Sequence, residues 1–374
     1  MLDLETPPRG RLEQPVADSP AVTLTAVASA VPRHVLRQED VIRRVRALFG
    51  DRRLDIERLL PAFGNAGIDT RHSCVPIEWY LTPSDWKTRN SLFIDNAVDL
   101  LQTAAEQCLQ EAGLPFSAID GLVTVSTTGI ATPSLDARLM ERLPFRRDVT
   151  RLPVFGLGCA GGVLGLSRAA ALARGKPGSK VLCLVVELCG LTFRANDPSK
   201  SNVIATALFG DGAAAVLLEA PKTGGPGDDS ATAAPRLGPA GEHTWPASLD
   251  VMGWEMENDG LGVLFSRDIP ALIRERMGPV LDGFLTRHGI AREDIDGYIC
   301  HPGGAKVVGA LEEVFGLPEG GLGEARAVLR DCGNMSAVTV LFVLERMRKA
   351  GLKGRYLMTA LGPGFTVGFQ LLEA

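Results

Sequence analysis

Apolar residues follow two patterns along the chain, one typical of strands and one typical of helices. Runs in which apolar residues alternate or follow one another without a break predict strands over residues 21–30, 122–126, 180–186, 298–301, 356–361 and 366–372. Segments with a helical spacing of apolar residues predict helices over residues 38–60, 96–112, 160–174, 269–287 and 336–349. Strands and helices that alternate in this way indicate an α/β fold.

The order of these elements repeats once. Residues 112–121 match residues 288–297, and their shared Gly and Ile-Asp-Gly positions keep one constant offset in the sequence. The same offset relates Gly178 to Gly354, each of which precedes an apolar strand, and Cys159 to Met335. Two such halves, related by a pseudo-twofold axis, predict sheet packed on helix on sheet. The helices that follow Cys159 and Asn334 would then be buried in the middle.

Composition marks the boundaries of the two halves. Residues 1–20 carry acids, prolines and arginines without the apolar stretch of a signal peptide, and we expect them to form a disordered leader. The first half then covers residues 21–220 and the second covers residues 240–374. Residues 221–239 are rich in Gly, Pro, Asp and Ala, which predicts a surface linker between the halves.

Charge and cysteine content narrow the function classes. The net charge of −5 without a long basic run argues against nucleic acid as a partner. An apolar content of 45% is ordinary for a globular protein, and no apolar run is long enough for an integral membrane segment. The seven cysteines form no C-x-x-C pair, and Cys183 and Cys300 lie within predicted strands. We therefore expect reduced thiols and a cytoplasmic protein.

Cys159 lies where a Gly-rich turn meets an Ala/Leu-rich helix. A thiol at a helix N-terminus is stabilised as thiolate, and its small neighbours would let a bulky thioester reach the sulfur. This pattern favours a nucleophile, although a buried structural cysteine is an alternative. A second alternative is a dinucleotide-binding turn, because Gly156, Gly158 and Gly161 match G-x-G-x-x-G and Glu187 is placed to bind a ribose.

His301 and Asn334 are the other candidates for chemistry. His301 ends a predicted strand, and the Pro-Gly-Gly that follows predicts a sharp turn exposing the imidazole. Asn334 precedes a predicted helix and could be only its N-cap. Cys300 and Cys332 lie close by in sequence, but their spacing fits no common zinc site, so we expect no metal. The repeat places Cys159 and Asn334 at corresponding helix starts, which argues against the dinucleotide alternative.

Taken together, these segments resemble the chalcone and stilbene synthase family of type III polyketide synthases, and in particular its bacterial members that make alkylpyrones or alkylresorcinols. The resemblance implies the thiolase fold, with duplicated α/β halves in αβαβα layers. It runs from about residue 20 to the C-terminus. The matching motifs, in family order, are Phe155-Gly-Leu-Gly-Cys-Ala-Gly-Gly162, Glu187 with Leu191-Thr-Phe193, Ala207-Leu-Phe-Gly-Asp-Gly212, His301-Pro-Gly-Gly304, Gly333-Asn-Met-Ser336 and Gly362-Pro-Gly-Phe365.

The resemblance implies a role for each reactive residue. Cys159 would accept an acyl group from acyl-CoA, and His301 would hold it as thiolate through an ion pair. His301 and Asn334 would donate hydrogen bonds to the malonyl-CoA thioester oxygen as decarboxylation forms an enolate. Phe209 would present an apolar face to the malonyl carboxylate. The substrates would be malonyl-CoA and an acyl-CoA, with no further cofactor.

The resemblance also implies a homodimer, a cavity and a CoA site. The loop at Thr132 would reach the partner's cavity, and the other cavity residues would be Thr128, Cys189, Thr192, Ser336, Gly362 and Pro363. CoA would be bound by Arg58, Gly303, Gly304 and Lys306, whereas Pro61 and Asn65 stand where plant members carry basic residues.

The position of the family's second aromatic gatekeeper holds Val263, with Phe265 two residues on and facing the same way. A wider and less aromatic cavity predicts a long-chain fatty acyl starter and an alkylpyrone or alkylresorcinol product. Two alternatives remain. One is a single extension of the β-ketoacyl synthase III kind, and the other is an NAD-binding oxidoreductase.

Overall fold

The computed structural model describes residues 21–49, 56–222 and 234–374. The predicted leader and most of the predicted linker lie outside these residues. The strands are β1 Val22–Ala30, β2 His34–Arg37, β3 Thr70–Ser73, β4 Gly121–Val125, β5 Thr150–Val154, β6 Lys180–Leu188, β7 Asp211–Glu219, β8 Arg236–Thr244, β9 Met252–Glu257, β10 Gly260–Phe265, β11 Gly297–Cys300, β12 Arg355–Gly362 and β13 Thr366–Glu373. The helices are α1 Gln38–Phe49, α2 Pro61–Gly64, α3 Trp86–Ala112, α4 Leu135–Leu139, α5 Gly161–Arg174, α6 Lys200–Leu208, α7 Ile269–Arg287, α8 Ala305–Phe315, α9 Gly323–Cys332 and α10 Thr339–Ala350.

Nine of these strands form one sheet in the order β11-β12-β13-β8-β1-β7-β6-β4-β5. The first half contributes β1, β7, β6, β4 and β5, and the second contributes β11, β12, β13 and β8. The halves meet where Val22 and Thr23 of β1 pair with Leu237 and Arg236 of β8. This pairing places residues 236–239 in a strand, so the described end of the predicted linker is part of the second half.

The buried middle layer consists of α5 and α10. Helix α5 packs against β4 and β6 of the first half and against β12 and β13 of the second. Helix α3 covers the outer face of β1, β6 and β7, and α7 covers the other half, where Phe284 stacks on Phe369 at 5.1 Å. The chain therefore has the predicted αβαβα layers of duplicated α/β halves.

The internal repeat persists in the structure, with one change of register. Strands β4 and β11 begin at Gly121 and Gly297, which keep the offset of the sequence repeat. The single 3-10 turns that lead into α5 and α10, Gly158–Ala160 and Ser336–Val338, lie two residues further apart than that offset. Cys159 therefore corresponds to Ala337, and the pairing of Cys159 with Met335 is wrong by two residues. Asn334 lies just ahead of its turn, whereas Cys159 lies within its own.

Several predicted boundaries differ from the structure. The predicted helix 38–60 does not continue to residue 60, because Ile56–Arg58 is a 3-10 turn and a separate helix, α2, begins at Pro61. Its first part is α1, which is described to Phe49. Helix α3 begins ten residues earlier than predicted, because the Asp85 side chain accepts a hydrogen bond from the Thr88 amide at 2.7 Å and caps it. Helix α6 and the hairpin β9–β10 were not predicted. Among the described residues, no helix is long and apolar enough to cross a membrane.

Candidate active site

Cys159 sits in the 3-10 turn before α5, partly exposed, with tight packing on either side. Gly158 has φ +48, and a Cβ there would overlap the ring of Pro363. Its amide donates to Thr127 Oγ1 at 3.2 Å. The Gly362-Pro363 turn thus packs directly on the cysteine turn, as its place in the predicted cavity requires.

The Cys159 thiol is protonated at neutral pH in this structure. Burial raises its pKa to about 11, and the negative charge of Glu187 acts in the same direction. The thiol donates to Ser336 Oγ at 3.5 Å, and this contact opposes the rise. Desolvation therefore outweighs the stabilisation expected from the helix N-terminus.

His301 is buried at the end of β11, where its backbone amide donates to the Thr359 carbonyl at 2.9 Å. Neither ring nitrogen has a hydrogen-bond partner. Burial lowers the pKa of the imidazole to about 3, so the ring is neutral at physiological pH. The expected ion pair with Cys159 is therefore not formed in this structure. The imidazole therefore has a ring nitrogen that could accept a hydrogen bond or a proton but has no partner in this structure.

Asn334 connects the segments that carry the other candidates. Its Nδ2 donates to the Gly303 carbonyl at 3.0 Å, next to the His301 turn. Its Oδ1 accepts from the Ser336 amide at 2.8 Å, and Ser336 in turn contacts Cys159. The Asn334 side chain thus caps the 3-10 turn Ser336–Val338, which was the alternative role considered for it. Through Gly303 and Ser336 it also links the segment of His301 to that of Cys159.

Phe209 is fixed to Asn334 through the backbone. The two residues form a parallel β-bridge. The Asn334 amide donates to the Leu208 carbonyl at 2.8 Å, and the Gly210 amide donates to the Asn334 carbonyl at 3.0 Å. The predicted apolar ring and the predicted amide donor are therefore held at neighbouring positions.

The hairpin β9–β10 forms a wall beside Phe209. Val263 pairs with Trp254 of the opposite strand, so their side chains share a face with Phe265. The Trp254 ring meets Phe209 edge to face, with centroids 6.0 Å apart. The prediction of a less aromatic cavity is wrong at this wall, because the opposite strand supplies a tryptophan. The predicted gatekeeper segment gave no sign of this residue, since cross-strand pairing brings it in.

A narrow apolar slot leaves the site between α1 and α6. Cys189, Thr192 and Phe209 line its inner end, and α1 lines its outer end with Val41, Val45 and Leu48. The volume open within it is about 50 Å³. Two of the predicted cavity residues therefore face a slot that the sequence did not reveal.

Glu187 is a fully buried carboxylate next to this cavity. It accepts hydrogen bonds from the Thr127 amide at 3.0 Å and from Thr128 Oγ1 at 2.7 Å. Burial raises its pKa to about 7. Because the carboxylate is bonded to its own chain in the interior, it cannot bind a ribose at the surface. Thr132 is exposed and does not join the cavity of its own chain.

A groove of about 470 Å³ opens beside the end of β10, where Phe265 lines it. Three of the residues predicted to bind CoA also line it: Gly303, Gly304 and Lys306. The groove's further cations are Lys200 and Arg267. Arg58 does not line it and lies in a separate 3-10 turn, Ile56–Arg58, so the structure does not bring this predicted CoA residue to the groove.

The structure does not provide a set of zinc ligands around Cys300 and Cys332. Across the described ranges, no three His, Cys, Asp or Glu side chains are grouped so that they could hold a metal ion. Cys300 and Cys332 are buried free thiols. Burial raises the pKa of Cys300 beyond the usual range and that of Cys332 to about 11.

Comparison with known proteins agrees with this architecture. Models of the N-terminal and C-terminal domains of chalcone and stilbene synthases match residues 74–221 and 237–373. The 1,3,6,8-tetrahydroxynaphthalene synthase of Streptomyces peucetius is 38% identical over 356 residues, which cover 94% of this chain and 93% of that protein. A Bacillus subtilis protein provisionally named chalcone synthase is 38% identical over 92% of this chain and 96% of its own length.

A solved structure extends the match to three dimensions. The tetrahydroxynaphthalene synthase of Streptomyces coelicolor, a bacterial type III polyketide synthase, superimposes with a TM-score of 0.85. It is 28% identical, and the match covers 93% of this chain and 98% of that one. The dinucleotide-binding alternative is therefore wrong. The chain belongs to the chalcone and stilbene synthase family and is a type III polyketide synthase, an acyltransferase that works by decarboxylative condensation.

Proposed function

We propose that this enzyme loads an acyl-CoA starter on Cys159 and extends it repeatedly with malonyl-CoA, without a metal or redox cofactor. The observation that carries the proposal is the placement of Asn334, whose side chain bonds Gly303 in the His301 turn and the amide of Ser336, the residue whose hydroxyl contacts the Cys159 thiol. In the loading step His301 takes the thiol proton, and the thiolate attacks the acyl carbonyl. The CoA thiolate leaves and recovers the proton. His301 has two unpartnered ring nitrogens to accept this proton. Because the pKa values of the ring (about 3) and the thiol (about 11) disfavour transfer in the resting enzyme, the proton moves as the sulfur attacks the acyl carbonyl.

Asn334 and Phe209 serve the decarboxylation step. The malonyl C–C bond breaks, carbon dioxide leaves, and the electron pair forms an enolate on the thioester. The Asn334 amide and the His301 ring donate hydrogen bonds to the enolate oxygen. The Phe209 ring keeps water from the carboxylate, which favours its loss as a neutral molecule. The enolate carbon then attacks the acyl-Cys159 thioester and releases the thiolate.

The starter is a fatty acyl chain, and the product is an alkylpyrone or an alkylresorcinol. The support is the narrow slot behind Cys189 and Thr192, in which Val41, Val45 and Leu48 of α1 would contact an alkyl chain. A long chain must widen the slot as it enters. Val263 pairs with Trp254 in the hairpin beside Phe209, which is the other side on which a chain would have to lie.

A second candidate starter is malonyl-CoA itself. Trp254 crowds Phe209 and narrows the cavity on the hairpin side. A relative of 38% identity is named a tetrahydroxynaphthalene synthase. A starter ladder that includes malonyl-CoA alone separates the two candidates.

A homodimer would form along β5, the last strand of the sheet. No strand among the described residues pairs with its outer edge. Ile130, Leu152 and Phe155 are exposed apolar residues in and near β5. The exposed loop at Thr132 lies on the same side and would reach the partner's cavity. CoA thioesters are cytoplasmic metabolites, so we place the enzyme in the cytoplasm.

The first prediction tests how the thiolate forms. His301→Gln should slow alkylation of Cys159 by iodoacetamide at pH 7, because the proton acceptor is lost. Burial raises the pKa of the thiol to about 11, so at higher pH hydroxide should deprotonate the thiol without His301. The difference in alkylation rate between the variant and the wild type should therefore become smaller toward pH 11. Mass spectrometry should place the adduct, and the acyl group from acyl-CoA, on Cys159. Equal rates at pH 7 would contradict the role of His301.

The second prediction separates hydrogen-bond donation from capping at Asn334. Asn334→Asp keeps the acceptor for the Ser336 amide but loses the donor, whereas Asn334→Ala loses both. Both variants should slow malonyl-CoA decarboxylation by roughly a hundredfold, about 3 kcal/mol, while starter loading changes far less. Normal decarboxylation in the Asp variant would leave Asn334 as a cap only.

The third prediction locates the starter chain. Each methylene buried in the slot contributes about 0.8 kcal/mol, so kcat/KM should rise roughly fourfold per methylene before it levels off. Val45→Phe fills the slot, and Val263→Phe makes the same change at the hairpin wall. Val45→Phe should shift preference to short starters by overpacking, with decarboxylation intact. If only Val263→Phe changed the starter preference, the starter chain would lie on the hairpin side and not in the slot. If the wild type preferred malonyl-CoA as starter, the second candidate starter would be favoured.

The fourth prediction concerns the dimer. Wild type should sediment at twice the chain mass of 39.8 kDa. Phe155→Asp should convert it to monomer, because a carboxylate in an apolar interface is costly. Leu249→Asp changes another exposed apolar residue away from β5 and should leave the dimer intact. A monomeric wild type would refute the interface.

A further inference from the structure

Arg71 of β3 is a buried cation that the proposed chemistry does not use. Its side chain is only 3% exposed, and none of the described carboxylates forms an ion pair with it. Its guanidinium instead donates to three main-chain carbonyls, those of Thr206 at 2.6 Å, Ala207 at 3.2 Å and Phe209 at 3.4 Å. It also donates to the Gln38 side chain. A charge in the interior that is satisfied mainly by one stretch of backbone must serve that stretch.

The stretch is the C-terminal end of α6. The last carbonyls of a helix have no partner within the helix, and a cation there is favourable. Gln38 supports the same end, because its Nε2 donates to the Ala207 carbonyl at 3.1 Å. Arg71 therefore fixes how the chain leaves α6 and turns into Phe209.

The Cβ of the same arginine packs against the bridge between Phe209 and Asn334. A Cβ built on Gly210 would be 3.3 Å from the Arg71 Cβ, and one built on Gly333 would be 3.4 Å from it. These two glycines directly follow Phe209 and precede Asn334. Arg71 thus contacts both strands of the bridge, and its hydrogen bonds hold one of them in place.

We propose that Arg71 is a positioning residue for decarboxylation, because it sets the Phe209 carbonyl and, through the bridge, the placement of the Asn334 amide. The inference rests on the proposed roles of Phe209 and Asn334. Cys159 and its turn share no described hydrogen bond with Arg71. Arg71 also lines the slot proposed for the starter chain, so loading is measured with acetyl-CoA, which is too short to fill the slot and should load independently of Arg71. If Arg71 has this role, its variants should show a lower ratio of the malonyl-CoA decarboxylation rate to the acyl-loading rate than wild type.

The test compares Arg71→Ala and Arg71→Lys with Arg174→Ala. Arg174 is a matched control because it also donates to main-chain carbonyls, those of Leu237 at 3.1 Å and Gly238 at 3.2 Å, and it lies at the far end of α5. For each variant, the folded fraction, kcat and KM for malonyl-CoA decarboxylation, and the rate of acyl transfer to Cys159 are measured.

Arg71→Ala should lower decarboxylation kcat by about tenfold or more, because small misplacements of catalytic groups are costly, with loading per folded molecule within about twofold of wild type. Arg71→Lys keeps the charge and some of the hydrogen bonds, so it should recover part of the loss. Arg174→Ala should lower stability without changing the ratio.

If decarboxylation and loading fall together in the Arg71 variants, as expected for Arg174→Ala, the positioning role is overturned. If Arg71→Ala does not fold, the ratio in Arg71→Lys decides in the same way. Different results would contradict the positioning role of Arg71 and the proposed role of Asn334. A changed ratio in Arg71→Lys with normal decarboxylation in Asn334→Ala would refute the role of Asn334 and leave that of Arg71.

Discussion

The close approach of the two buried turns is the constraint on which the rest of the structure depends. A Cβ on Gly162 would overlap the Ala337 carbonyl oxygen, and one on Gly161 would be 3.1 Å from the Ala337 Cβ. Only glycine lets the start of α5 lie against the turn that leads into α10. This contact brings the Cys159 thiol to Ser336, and with it to the segment that carries Asn334.

Around this contact, buried polar groups are satisfied by backbone far more than by opposite charges. Asn334 bonds main-chain groups with both ends of its amide, and Glu187 and Arg71 do the same with their charged groups. Each such bond fixes the position of a loop in a region of low dielectric. Glu187 and Arg71 each leave one atom, Oε1 and Nε, without a partner, whereas His301 leaves both its ring nitrogens without one. An unsatisfied buried imidazole is costly for folding. Because burial also lowers its pKa to about 3, the ring takes a proton only in step with the reaction of the thiol.

The reactive residues were predictable because each leaves a local mark. Cys159 follows a Gly-rich turn, His301 precedes Pro-Gly-Gly, and the repeat places Asn334 near an equivalent helix start. Trp254 and Arg71 leave no such mark. Trp254 reaches Phe209 through cross-strand pairing with Val263, and Arg71 acts on carbonyls more than a hundred residues away. The protonation states could not be predicted either, because they follow from burial and not from neighbours in the chain.

The amino-acid order alone determines the α/β class, the duplication and the three reactive side chains, because periodicity, glycine placement and capping act over a few residues. Distances between these side chains, the aromatic wall and the slot are decided only when the two halves pack. The two-residue change of register near Cys159 also becomes visible only when the two turns are compared in the structure. Contacts of this kind join residues that are far apart in the chain, and no local pattern records them.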